Sequence, residues 1–76
     1  MTIFQVIDTL QVDENTSVII EGNGDLLKNG IGVLDENGKP YEVLSVAMVK
    51  EGSEPEALQR TMILIEGKFS SKKLFV

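Results

Sequence analysis

Lysines alternate with aromatic residues near the end of the sequence, and this segment has the clearest chemical potential. Its members are Lys68, Phe69, Lys72, Lys73 and Phe75. An aromatic ring can stack on a nucleic-acid base while neighbouring ammonium groups bind phosphate. The same residues also fit a closing β-strand with phenylalanine inside and lysine outside. The segment therefore predicts either a contact surface for RNA or another partner, or a purely structural strand.

Two groups of carboxylates could bind a metal or act in catalysis. Residues 35–38, Asp-Glu-Asn-Gly, match part of a calcium loop, but the other acidic positions of such a loop are missing. Glu51, Glu54 and Glu56 lie close together in a segment with glycine, serine and proline, where exposed side chains are expected. Paired carboxylates act as acid and base only when burial raises the pKa of one of them. We therefore predict solvated turns, without a metal site.

The 76-residue chain contains no cysteine and no histidine. These side chains are the usual thiolate and imidazole ligands of metals, and histidine is the side chain best suited to proton transfer near neutral pH. Neither of the two Gly-Lys pairs, at 38–39 and 67–68, belongs to a phosphate-binding loop. We therefore expect no enzymatic activity and no cofactor.

The formal net charge is −5, from 12 acidic and 7 basic residues. Phosphate backbones bind to basic surfaces, so this balance disfavours RNA as a general partner but still allows a local basic patch. The N-terminal residues lack the basic and apolar regions of a secretion signal, and the longest apolar runs, such as 62–65, are far too short to cross a membrane. A cytoplasmic location without membrane contact is the expectation.

Short β-branched runs separated by turn residues predict a chain made of strands. The predicted strands cover residues 3–12, 17–21, 31–35, 41–50 and 61–66, with a closing segment at 70–76. Three Asn-Gly pairs predict turns between strands, and they end in Gly24, Gly30 and Gly38. Residues 41–50 carry apolar side chains on both faces, which predicts a strand covered on both sides.

The order of these strands predicts one all-β domain over residues 1–76, a small antiparallel barrel of five or six strands. No stretch of helical length is amphipathic. No internal repeat can be aligned in the sequence.

Residues 24–30, Gly-Asp-Leu-Leu-Lys-Asn-Gly, followed by Ile-Gly-Val at 31–33, resemble a glycine-spaced segment in the second domain of translational GTPases such as elongation factor Tu. The later strands at 41–50 and 61–67 follow the same order, so the resemblance covers most of residues 3–69. It implies a barrel that contacts ribosomal RNA or the aminoacyl end of tRNA beside a GTPase domain. The chain departs from the family because it has no nucleotide-binding domain, and because Asn23 replaces the usual basic residue before the glycine.

The residues together predict a non-catalytic binding module whose partner is a protein. Two alternatives stay open. The resemblance to translation factors implies contact with RNA or the translation apparatus. The apolar residues 74–76 could instead add an edge strand to a second copy of the chain and make a homo-oligomer.

Overall fold

A computed structural model describes residues 2–22, 24, 26–50 and 59–76. The strands are β1 (Ile3–Val12), β2 (Asn15–Glu21), β3 (Gly32–Leu34), β4 (Pro40–Lys50), β5 (Gln59–Glu66) and β6 (Lys73–Phe75). They form a closed antiparallel barrel, which confirms the predicted all-β class and antiparallel barrel, with six strands where five or six were predicted. The described part of the chain holds no helix, and hence none that could span a membrane.

The strands follow the order β1-β2-β5-β4-β3-β6 around the barrel. The four long strands make one continuous sheet, in which β2 and β5 are the inner pair. The short strands β3 and β6 close the barrel, because β3 pairs with the start of β4 and β6 pairs with the start of β1. Every neighbouring pair is antiparallel.

The core lies inside the barrel and consists of apolar side chains from all six strands and from two loops. Alternate residues of β2 and β5 point inward, as expected for strands with one buried face. The buried apolar residues are Phe4, Val18, Ile20, Leu27, Val33, Val43, Ile63, Ile65, Phe69 and Leu74. Leu27 and Phe69 are the members that come from loops, since both lie between strands.

A β-bulge in β1 and another in β4 change which side chains face the core. The pairing register shifts between Val6 and Asp8 in β1, and between Val43 and Ser45 in β4. One extra residue inverts the alternation that follows it. In β4 the bulge explains why apolar residues occur at both odd and even positions. Val43 and Val46 both contact the core, whereas Ser45 and Ala47 are exposed. The two-sided apolar pattern thus reflects a bulge rather than cover on both faces.

The barrel has an internal pseudo-two-fold symmetry that relates β1, β2 and β3 to β4, β5 and β6. The two bulges occupy equivalent positions, opposite the same part of β2 and β5. Equivalent backbone bonds follow: the Val6 N–H donates to the Lys72 carbonyl, and the Val43 N–H donates to the Ile31 carbonyl, both at 2.9 Å. Each half therefore contributes two long strands and one short strand that closes against the other half.

The symmetry is visible in the sequence of the two central strands once their register is known. Residues 16–22 read Thr-Ser-Val-Ile-Ile-Glu-Gly and residues 61–67 read Thr-Met-Ile-Leu-Ile-Glu-Gly. These segments pair antiparallel around Val18 and Ile63. The sequence-based conclusion that no repeat can be aligned is therefore wrong. The similar stretch is only about one strand long in each half, so it does not stand out as a repeat until the pairing of the two strands is known.

Two buried threonines, Thr16 and Thr61, hold the loops at opposite ends of the barrel. The Thr61 hydroxyl donates to the Gly22 carbonyl at 3.0 Å and accepts from the Gly24 N–H at 3.0 Å. The Thr16 hydroxyl does the same for the equivalent loop, donating to the Gly67 carbonyl at 2.7 Å and accepting from the Phe69 N–H at 2.9 Å. Each threonine thus fixes the loop that follows its partner strand.

The three predicted turn glycines play different roles. Gly30 and Gly38 have positive φ angles, +87° and +80°, which residues with a side chain rarely adopt. Gly24 has no such angle. A Cβ atom there would lie 2.7 Å from the Thr61 Cγ2 atom, so glycine is needed for close approach to the strand.

Candidate functional site

The structure separates the residues of the basic C-terminal segment, residues 68–75, into two environments. Lys68, Lys72 and Lys73 are exposed. Phe69 is only 3% exposed and packs edge-to-face against Tyr41, with ring centroids 5.1 Å apart, while Phe75 is half-buried in β6. A base cannot stack on Phe69 without opening the core. The lysines therefore lie at the surface without this ring beside them.

The turn between β3 and β4 is built around the carboxylate of Asp35. Its Oδ1 accepts from the N–H groups of Asn37 and Lys39, at 2.8 and 2.9 Å, and its Oδ2 accepts from the Tyr41 hydroxyl at 3.0 Å. The Lys39 ammonium lies 5.3 Å from the centroid of the Tyr41 ring. Both carboxylate oxygens are thus used within the turn, so this carboxylate stabilises the hairpin.

These contacts shift the pKa values of both acidic groups in opposite directions. The Lys39 backbone N–H, with smaller contributions from the Asn37 N–H and the Tyr41 hydroxyl, lowers the pKa of Asp35 against the opposing effect of burial. Burial, and then the bond to Asp35, raises the pKa of Tyr41. The folded barrel therefore favours the ionised carboxylate and the protonated phenol.

A polar groove of about 400 Å³ lies where this turn meets the segment before β6. Its lining is Asp35, Glu36, Asn37, Ser70, Ser71 and Lys72. The Glu36 N–H donates to the Ser71 hydroxyl at 3.1 Å, and the Lys72 N–H donates to the Glu36 carboxylate at 3.0 Å. These bonds tie the β3–β4 turn to the chain entering β6, which is a structural role.

Acid should weaken the barrel through Asp35. A carboxyl with a lowered pKa in the folded state stabilises the fold above its ordinary value of 3.8, and this contribution is lost as the pH falls through the lowered folded value. We expect the urea midpoint of the wild-type chain to fall below that pH more steeply than the midpoint of Asp35→Asn, whose side chain does not titrate. Parallel pH dependence of the two chains would show that Asp35 does not carry the effect.

The second candidate site is an apolar groove on the outside of the barrel, which we call the outer groove. It has a volume of about 170 Å³ and is lined by Asp8, Thr9, Leu10, Ser17, Ile19 and Met62. Leu10 is 66% exposed and Met62 39% exposed, although both lie within strands. Grouped apolar side chains on an outer surface mark sites of interaction more often than isolated ones do.

Strand register brings these residues together. Ile19 lies opposite Asp8 on one side and Met62 on the other, and Ser17 lies between Leu10 and Leu64. Side chains opposite each other in an antiparallel sheet share one face. The small side chain of Ser17 therefore leaves a depression between larger neighbours. The bulge in β1 is what turns Leu10 to this face.

Carboxylates lie on the face of the barrel that carries the outer groove. Asp8 is part of its lining, and its Oδ1 accepts from the Thr9 N–H at 2.9 Å, which holds the carboxylate at the edge. Glu21 and Glu66 are the last residues of β2 and β5, and the strand register places both on the same outer face. Arg60 also lies on this face, half-buried opposite Glu21. The groove thus has apolar walls and the Asp8 carboxylate at its edge.

Sequence reasoning did not find the outer groove, although one signal was present. The strands β2 and β5 contain unbroken apolar runs at 18–20 and 62–65. Alternate residues of each run face the core, and no role was predicted from the sequence for the residues between them, which face outward. Only the strand order shows that these surplus side chains lie next to one another.

The cluster of Glu51, Glu54 and Glu56 lies outside the described residues, so its predicted exposure stays a prediction. Comparison with protein-family models, with curated proteins and with solved structures found no match. The resemblance of residues 24–33 to the second domain of translational GTPases gains no support from these comparisons and also stays a prediction.

Proposed function

We propose that this barrel is a non-catalytic module that binds another protein through the outer groove. The observation that carries the proposal is the grouping of exposed Leu10 and Met62 with Ile19 around the small Ser17. The polar groove beside Asp35 offers a weaker case, because its hydrogen-bonding groups bind one another.

The energetics of interfaces support this choice. A few buried apolar anchors provide most of the binding free energy, and polar residues at the rim exclude water. The outer groove has this arrangement, with apolar side chains as walls and the Asp8 carboxylate at the edge. It lies on β1, β2 and β5, whose pairing holds it in one shape, so binding would not require ordering of the surface.

A purification with matched surface variants tests the proposal. Wild type, Leu10→Glu and Leu26→Glu would be immobilised, and captured proteins identified, produced separately and titrated by calorimetry. Leu26 is also an exposed leucine, at 53%, and does not line the groove, so it is the control. We expect a protein that binds wild type and Leu26→Glu, with affinity at least about tenfold lower for Leu10→Glu, since a lost anchor costs more than 1.4 kcal/mol.

The alternatives give different results. If sedimentation velocity shows growth in size with concentration, and Leu10→Glu abolishes it, the groove binds a second copy of the chain. A captured protein that binds all three variants equally would place the interface elsewhere. No captured protein at all, in extracts of the source cells, would remove the proposal.

A further inference from the structure

The outer groove has the size of a pocket for one side chain. A cavity of about 150 Å³ accommodates a benzene ring, and the outer groove measures about 170 Å³. Ser17 lies at the depression with Leu10 opposite it on β1, and Met62 lines the β5 side, where it is opposite Ile19. This shape fits one aromatic or large aliphatic side chain, which is the kind of anchor that dominates protein interfaces.

The charge around the pocket restricts what can accompany that anchor. Asp8 lies at the pocket itself, Glu21 and Glu66 lie on the same face with Arg60 opposite Glu21, and Asp13 and Glu14 form the turn at the end of β1. The whole chain has a net charge of −5. A second copy would bring the same carboxylates together, and like charges across an interface are unfavourable. Positive charge on a different protein is complementary to this surface.

Resting on the proposed function, we infer that the outer groove binds a protein segment that presents one aromatic or large aliphatic side chain flanked by lysine or arginine. The anchor occupies the depression above Ser17, and a basic neighbour pairs with Asp8. The hydrogen bond from the Thr9 N–H keeps the Asp8 carboxylate in place for this contact. The basic residues provide specificity and speed of association, while the anchor provides most of the affinity.

Selection from a displayed library of random twelve-residue peptides tests this inference without knowledge of the natural partner. Wild-type protein is the target, and a synthetic peptide of the selected consensus is then titrated against variants. We expect the consensus to contain an aromatic or large aliphatic residue next to lysine or arginine. Ser17→Phe, which fills the depression, should weaken binding by about tenfold or more.

A second pair of variants separates charge from shape. Asp8→Asn keeps an oxygen acceptor for the Thr9 N–H but removes the charge. It should weaken binding several-fold at low salt and leave the affinity less sensitive to salt, because screened charges contribute less. Leu26→Glu is the control and should bind like wild type. Circular dichroism and thermal melts of each variant verify that the barrel is folded.

Three results would overturn the inference: no enriched peptide, a consensus that is acidic or lacks an apolar anchor, or binding that survives Ser17→Phe unchanged. These outcomes are distinct from failure of the proposed function. A protein captured through Leu10 whose contact segment is neutral or acidic would retain the proposed function and refute the charge rule. If no protein is captured through Leu10 and no peptide is enriched, both the proposed function and this inference are refuted.

Discussion

Replacement of Phe69 by alanine should cost about 3–5 kcal/mol of unfolding free energy, the usual range for a large aromatic side chain in a core. The ring is 3% exposed, and it packs edge-to-face on Tyr41 at one end of the barrel. A domain of this length is stable by roughly 4–11 kcal/mol. The variant should therefore lie near the limit of folding, with a urea midpoint far below that of wild type.

Phe69→Leu and Phe75→Ala are the matched controls. Leucine retains most of the apolar volume and should cost less than alanine, whereas Phe75 is only half-buried and its loss should cost less than that of Phe69. A small loss of stability for Phe69→Ala, comparable to Phe75→Ala, would contradict a core role. It would also return Phe69 to the set of residues available for contact with RNA.

The second large effect is expected for Thr61→Val, which removes a buried hydroxyl but preserves the shape of the side chain. Thr61 is fully buried and binds both the Gly22 carbonyl and the Gly24 N–H. A buried group left without a partner costs about 1–3 kcal/mol. The bond to the Gly24 N–H is buried and the bond to the Gly22 carbonyl only partly so, and we therefore expect a loss of about 2–4 kcal/mol. Urea unfolding measures the loss, and hydrogen exchange of the Gly24 amide should become faster.

Two variants sharpen this second test. Thr61→Ser keeps the hydroxyl and loses a methyl group, so the Gly24 amide should stay protected. Thr16→Val removes the symmetry-related hydroxyl and should have a similar cost, with faster exchange at Phe69 rather than at Gly24. Equal stability of Thr61→Val and wild type would mean that water replaces the hydroxyl when the loop opens.

Several properties followed from the sequence alone because they depend on local chemistry. β-Branched runs and turn residues predicted six segments, and each of them overlaps one observed strand, although β2, β4 and β5 begin one or two residues earlier than predicted. The positive φ angles of Gly30 and Gly38 followed from Asn-Gly pairs, because glycine adopts such angles without strain. A closing strand with phenylalanine inside and lysine outside was only partly correct for residues 68–75: the lysines are exposed and Phe69 is buried, but Phe69 lies in the loop before β6, and the buried residue of β6 is Leu74.

The outer groove was not predictable from the sequence, because it depends on which strands are neighbours. Leu10, Ser17 and Met62 are distant along the chain and meet only through the order β1-β2-β5. The face of Leu10 depends on the bulge after Val6, which inverts the alternation of the strand. A sequence pattern of strict inward–outward alternation cannot show this inversion.

The two threonine contacts show the same division between local and tertiary causes. The sequence predicted Thr61 at the start of a strand and Thr16 just before one, whereas the structure has both threonines near the start of a central strand. Pairing of β2 with β5 decides that each hydroxyl reaches the loop after the opposite strand. Residue types and their spacing thus determined the elements of this protein. Strand order, register and bulges decided which side chains became core, loop anchors and candidate binding surface, because these features arise from contacts between distant segments.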